Sequence, residues 1–119
     1  MENYKDQLRE DSIAFAIAVS NVCDHLENCT VFKNQLLRAA SSIGANIHEA
    51  KYAQSRADFI NKLEIALKES SETDYWMELL FRKGKLTPDQ HRNLKNSCGS
   101  IRRRLIASIT TAKGNKEQT

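Results

Sequence analysis

From Leu36 to Leu80 the chain places apolar or small residues at alternating steps of four and three, with almost no punctuation. Leu36, Ala40, Ile43, Ile47, Ala50 and Gln54 make one run, and Phe59, Leu63, Ala66, Ser70, Thr73, Met77 and Leu80 make the next. Steps of four and three keep one face of an α-helix turned toward a neighbour, which is the pattern of helices crossing at a shallow angle in a bundle. The whole chain holds one proline and four glycines, too few for the turns that many short strands would need. Small residues crowd the first run: Ala39, Ser41, Ser42, Gly44, Ala45 and Ala53. They let two helix axes approach closely. Gly44 costs about 1 kcal/mol relative to alanine inside a helix, and the periodicity continues through it. Close packing therefore explains it better than a break.

The flanking segments carry the same signal. Phe15, Val19, Val22 and Leu26 are spaced 4-3-4, and Leu8 extends the stripe if Ser12 fills the gap. Leu94, Cys98, Ile101, Leu105 and Ile109 form the last stripe. The expected helices span about 5–28, 31–54, 56–83 and 88–112, followed by a frayed tail over 113–119. Thr30 is the expected N-cap of the second helix. Ser55 with Asp58 has the logic of a capping box. Gly84 suits the left-handed residue beyond the third helix, and Thr87-Pro88-Asp89-Gln90 is a full N-terminal signature. Four stripes on short connections predict an all-α fold, a left-handed antiparallel up-down-up-down four-helix bundle in one domain over 1–119.

No apolar run reaches the ~18 residues of a membrane span, and Glu10-Asp11 precedes the run from Ile13 to Val19 where a signal peptide would be basic. A cytoplasmic protein with no membrane association is expected. Cys23, Cys29 and Cys98 are odd in number and lack metal-ligand spacing, so they read as buried or free thiols. The chain has no Glu-x-x-His pair, no nucleophile elbow and no glycine-rich phosphate loop. His25, His48 and His91 fall on three different helices. No catalytic residue, metal or cofactor is expected, and the reading is that of a non-enzyme. A metal-dependent enzyme using Glu49, Glu69 and Glu72 is the weakest alternative.

Two groups of residues stand out. Arg38, Ser42, Asn46 and Glu49 are three or four apart and line one ridge of the second helix. Glu69 and Glu72 on the third helix are natural partners for that ridge, and Tyr75 and Trp76 lie just beyond. Arg38, Asn46, Glu49, Glu69, Glu72, Tyr75 and Trp76 are thus expected to form a polar network or subunit contact. The second group is basic. Residues 1–80 sum to −5 and residues 81–119 to +8. Arg82, Lys83, Lys85, Arg92, Lys95, Arg102, Arg103 and Arg104 are the candidate nucleic-acid-binding residues, because clustered cations bind phosphate backbones without reading sequence. The alternative is a face that docks an acidic partner or a neighbouring subunit.

The run from Leu37 to Ala50, then Ser55-x-x-Asp58-Phe59, Ile65-Ala66-Leu67-Lys68-Glu69 and Glu72-Thr73-x-Tyr75-Trp76, resembles the 23S rRNA-intervening-sequence proteins, also called four helix bundle proteins. The resemblance covers about Phe15 to Ile109. Many members have proline where this chain has Gly44, which removes a kink-former. The resemblance implies a cytoplasmic bundle, a homo-oligomer with the pentamer favoured, and no known catalytic residue. A related protein, the accessory factor of diversity-generating retroelements, implies RNA or DNA and a reverse transcriptase as partners. Taken together, the sequence predicts a non-enzymatic oligomeric binding or assembly module that engages RNA or DNA backbones through its basic C-terminal helix. A protein–protein scaffold is the alternative.

Overall fold

The computed structural model describes residues 4–117. Four helices follow one another: α1 Tyr4–Cys23, α2 Thr30–Lys51, α3 Arg56–Arg82 and α4 Pro88–Glu117. Each packs on two neighbours in the cyclic order α1, α2, α3, α4 and back to α1, and the backbones of diagonal helices stay more than 8 Å apart, Cα to Cα, among the described residues. Side-chain pairs give the directions. Arg9 meets His48 across α1 and α2, and Arg38 meets Glu72 while Glu49 meets Lys62 across α2 and α3. Glu64 meets Lys113 and Glu78 meets His91 across α3 and α4, and Asp11 meets Arg104 across α1 and α4. In each case early residues of one helix face late residues of the next, so all four contacts are antiparallel. The rod measures 52 × 27 × 21 Å.

The core follows the stripes. Leu36, Ala40, Ile43, Ile47 and Ala50 of α2 are buried, as are Leu94, Cys98, Ile101, Leu105 and Ile109 of α4. Gly44 admits close packing: a Cβ there would stand 3.0 Å from Ser12 Oγ of α1. Ser12 fills the α1 seam as expected and has no exposed surface. Polar residues enter the seam by satisfying themselves. The hydroxyls of Ser12, Ser70 and Thr73 donate to the carbonyls of Arg9, Leu67 and Glu69 at 2.7, 2.6 and 2.7 Å. A hydroxyl bonded back into its own helix escapes the cost of an orphaned buried group.

The structure corrects several details. α1 ends at Cys23 rather than near 28, because His25 N–H donates to the Val22 carbonyl and Leu26 N–H to the Cys23 carbonyl, tightening the chain into a turn. Asn28 then takes φ 60°, a left-handed conformation that asparagine tolerates. The α1 seam accordingly closes on buried Cys23, while Val22 and Leu26 are only partly buried. Cys29, not Thr30, is the N-cap of α2, and its side chain makes no capping bond. α2 stops at Lys51, which leaves Gln54 exposed outside the seam. In α3 the seam begins at Ile60, with Phe59 packed partly against it. α4 runs to Glu117, beyond the expected end at 112, because Ala112 is buried and Lys113 pairs with Glu64 at 2.9 Å. Residues 118 and 119 of the expected tail lie outside the described residues, as do residues 1–3.

The other boundary signals act as read. Ser55 Oγ accepts from Asp58 N–H at 3.0 Å, and Asp58 accepts in return from Gln54 N–H. Thr87 and Gln90 bond reciprocally at 2.9 and 3.1 Å, a complete capping box. Gly84 has φ 81°.

Candidate functional site

The basic residues sit on the last helix, on the turn before it and, for Arg82, at the end of α3, and the structure divides them by partner. Arg82 donates to Glu78 at 2.8 Å and Arg92 to Asp89 at 2.7 Å, both within a helix turn. Arg82's hydrogen bond, above all, holds the Glu78 carboxyl below its ordinary range, with His91 and Lys95 adding to the positive field. Arg104 turns toward α1, where it donates to Asp11 at 2.8 Å, and it also lies over the Ser100 carbonyl. Lys83, Lys85, Lys95, Arg102 and Arg103 form no ion pair with any described residue. All but half-buried Lys85 are exposed. The Arg102-Arg103-Arg104 run therefore splits: one arginine is structural and two are presented to solvent.

Helix geometry explains the division. Residues 101 and 105 face the core, so 104 falls on the flank toward α1 and 102 on the flank toward α3. Each flank borders a cleft. Between α1 and α4 lies one of about 430 Å³, floored by Phe15 and Ile101 and walled by Ala14, Ala18 and Ser97. Small walls leave these two helices the most sparsely packed neighbours. Between α3 and α4 lies one of about 320 Å³, lined by Asp74, Lys95, Gly99, Arg102 and Arg103 among others.

The turn that presents the basic face is packed against the helix ends on both sides. His91 stacks on Phe81 with ring centres 4.2 Å apart and planes 3° apart, and its Nε2 lies 3.5 Å from Glu78. Leu86 is buried beneath. The backbone that carries Lys83 and Lys85 is set by this packing and by the left-handed turn at Gly84.

The polar ridge is only partly a network. Arg38 forks between Glu69, at 3.3 Å, and Glu72. Glu72 also accepts from Trp76 Nε1 at 3.1 Å, and Trp76 stacks on Phe32 and meets Tyr75 edge-on. Arg38, Glu69, Glu72, Tyr75 and Trp76 are therefore brought together across α2 and α3. Asn46 is not among them: its amide donates to the Ser42 carbonyl and hydroxyl in its own helix. Glu49 pairs instead with Lys62 at 3.2 Å. This separates Glu49 from Glu69 and Glu72, and among the described residues no group of three or more His, Cys, Asp or Glu is arranged to hold a metal ion.

Two features were missed by sequence reasoning. Asp74, half-buried on α3, faces the unpaired cations of α4. Its position four residues after Ser70 on a core stripe was the available signal. Ile13 and Ile17 are exposed at 40% and 55% on the outer face of α1, four residues apart. The three cysteines are buried and free. Burial pushes the Cys23 thiol up to about 11 and the Cys98 thiol up to about 12. No described helix is long and apolar enough to cross a membrane.

The family model for the 23S rRNA-intervening sequence protein matches residues 5–107. A crystal structure from Bacteroides thetaiotaomicron VPI-5482, of a protein with unknown function from the S23 ribosomal protein family, superposes with a TM-score of 0.85 at 45% identity. The match covers 89% of this chain and 97% of that one. Comparison with curated proteins gives no match.

Proposed function

The chain belongs to the 23S rRNA-intervening sequence protein family, and from that premise we propose that it is a non-enzymatic, self-associating binding module that engages RNA or DNA backbones through the exposed face of α4. The observation that carries the reading is the set of five cations, Lys83, Lys85, Lys95, Arg102 and Arg103, left without ion-pair partners among the described residues. Cations already committed to internal pairs lose little by staying so. Unpaired ones release counterions when a phosphate chain docks, and that release drives binding without reading bases. Filter binding of a mixed-sequence oligonucleotide at low salt tests the reading. Retention that falls steadily as salt rises is expected. No retention at low salt would refute it.

Self-association is the second part of the proposal, with a cytoplasmic pentamer as the expected assembly. Exposed Ile13 and Ile17 on α1, and Val31 and Tyr75 at 69% and 57% on the α2–α3 side, support it. Apolar and aromatic residues presented to solvent favour a protein contact. The same residues support the scaffold reading, in which the basic face docks an acidic partner, for which a reverse transcriptase is one candidate. Light scattering of the purified protein, repeated with Ile17→Glu, separates the two parts. Self-association predicts a higher-order species that the substitution dissociates. A monomer at all concentrations would remove this part and leave the nucleic-acid part standing.

A further inference from the structure

The cleft between α3 and α4 joins two opposed chemistries. On the α4 wall stand Lys95, Arg102 and Arg103, free of ion pairs with the described residues. On the α3 wall stands Asp74, which is half-buried and likewise makes no hydrogen bond or ion pair with any described residue. A carboxylate that shares a space of about 320 Å³ with three cations, and closes on none of them, leaves room between the walls. Gly99 lines that room without a side chain. A Cβ there would stand 3.3 Å from Arg103 Nη1 and would intrude on the cleft.

Consider what each wall can bind. The cations donate to anionic oxygens, and phosphate is the group they fit best. An ionised carboxylate can only accept, so it repels a bare phosphate and welcomes a hydroxyl donor beside it. A phosphodiester carries such a donor on the adjoining sugar only when the sugar is ribose. The 2′-hydroxyl is the group by which a protein tells RNA from DNA at a given site. Asp74 would then act against deoxyribose as well as for ribose, because a DNA backbone meets the repulsion without the compensating bond.

We propose that the α3–α4 cleft selects RNA over DNA, with Lys95, Arg102 and Arg103 holding phosphate oxygens and Asp74 accepting the ribose 2′-hydroxyl. This rests on the nucleic-acid reading above and adds a discriminating residue to it. Lys83 and Lys85 do not line the cleft, so these cations serve any strand. The selection is local to the cleft.

Fluorescence anisotropy with three labelled single strands of one base sequence tests this: RNA, DNA with uracil in place of thymine, and 2′-O-methyl RNA. The last retains ribose geometry but lacks the donor. RNA is expected to bind on the order of tenfold more tightly than the other two, the size of one hydrogen bond to a charged group. In Asp74→Ala the RNA-to-DNA ratio is expected to fall near one, while DNA binding stays the same or tightens as repulsion is removed. Circular dichroism confirms the helices, and Asp74 has no bond whose loss would unfold them. Equal binding of all three strands by the native protein overturns the selection and leaves nucleic-acid binding intact. A preference that survives Asp74→Ala also overturns it. Failure of every strand to bind removes the underlying reading and this inference with it.

Discussion

At the scale of single residues, Ser12 and Gly44 show how the bundle closes. The Ser12 hydroxyl is bonded to the Arg9 carbonyl and stands 3.0 Å from where a Gly44 Cβ would lie. Gly44→Ala would recover about 1 kcal/mol of helix propensity. It would also push the Ser12 hydroxyl off its acceptor, at a cost of about 1–3 kcal/mol for an orphaned buried group. Gly44→Ala is therefore expected to be neutral or destabilising alone. In a Ser12→Ala background, where the nearest Ser12 contact is the Cβ at 3.5 Å, it is expected to stabilise by about 1 kcal/mol. Urea unfolding of the four proteins in the cycle measures the coupling, and additive effects would contradict this account. The cysteines make a second residue-scale case. Burial encloses all three and holds Cys23 and Cys98 as protonated thiols at neutral pH. Alkylation by iodoacetamide, followed by mass, is expected to be negligible in the native protein and complete in denaturant.

At the scale of helices, caps and tethers set the boundaries. Thr87→Ala removes the oxygen that accepts from Gln90 N–H and is expected to cost about 1 kcal/mol by thermal or urea unfolding. α1 and α4, the sparsest neighbours, are tied by Asp11 and Arg104. Hydrogen bonds from Gln7 and then from Arg104 hold the Asp11 carboxyl below its ordinary 3.8. A depressed folded value means that stability is present above the ordinary value and is lost as pH falls through and below it. Thermal melts of Arg104→Gln should therefore lie below those of the native protein at neutral pH, with the gap narrowing in acid. An unchanged gap would contradict the tether. Much of this scale was legible in the sequence. The α2 and α4 stripes are buried at every expected position inside the helices, because their seams are written in aliphatic residues. α1 and α3 slipped by one position at an end, to Cys23 and Ile60, because apolar residues stand side by side there, Val22 beside Cys23 and Phe59 beside Ile60. The end of α1 was obscured because Asn28 supplies the left-handed turn where no glycine marks it.

At the scale of the molecule, charge and shape separate. The basic third of the sequence is one helix and its preceding turn, held by the His91–Phe81 stack and buried Leu86. That the C-terminal third is basic was legible from counting. Which cations remain available was not, because pairing with Glu78, Asp89 and Asp11 depends on helix phase and on α1, ninety residues away in sequence. The same limit applies to the ridge, where only the fold shows that Glu49 turns to Lys62 and away from Arg38. On this reading the unpaired cations of α4, and not the paired cations, carry polyanion binding. The dependence of affinity on salt tests it most directly, measured for a single-stranded oligonucleotide with the native protein, Arg102→Ala/Arg103→Ala and Arg82→Ala/Arg92→Ala. Each phosphate contact contributes about 0.7 to the slope of log affinity against log salt for a single strand. The slope is expected to be shallower by about 1.4 for the Arg102/Arg103 variant and nearly native for the Arg82/Arg92 variant. Equal losses in both, or a native slope in the first, would contradict it.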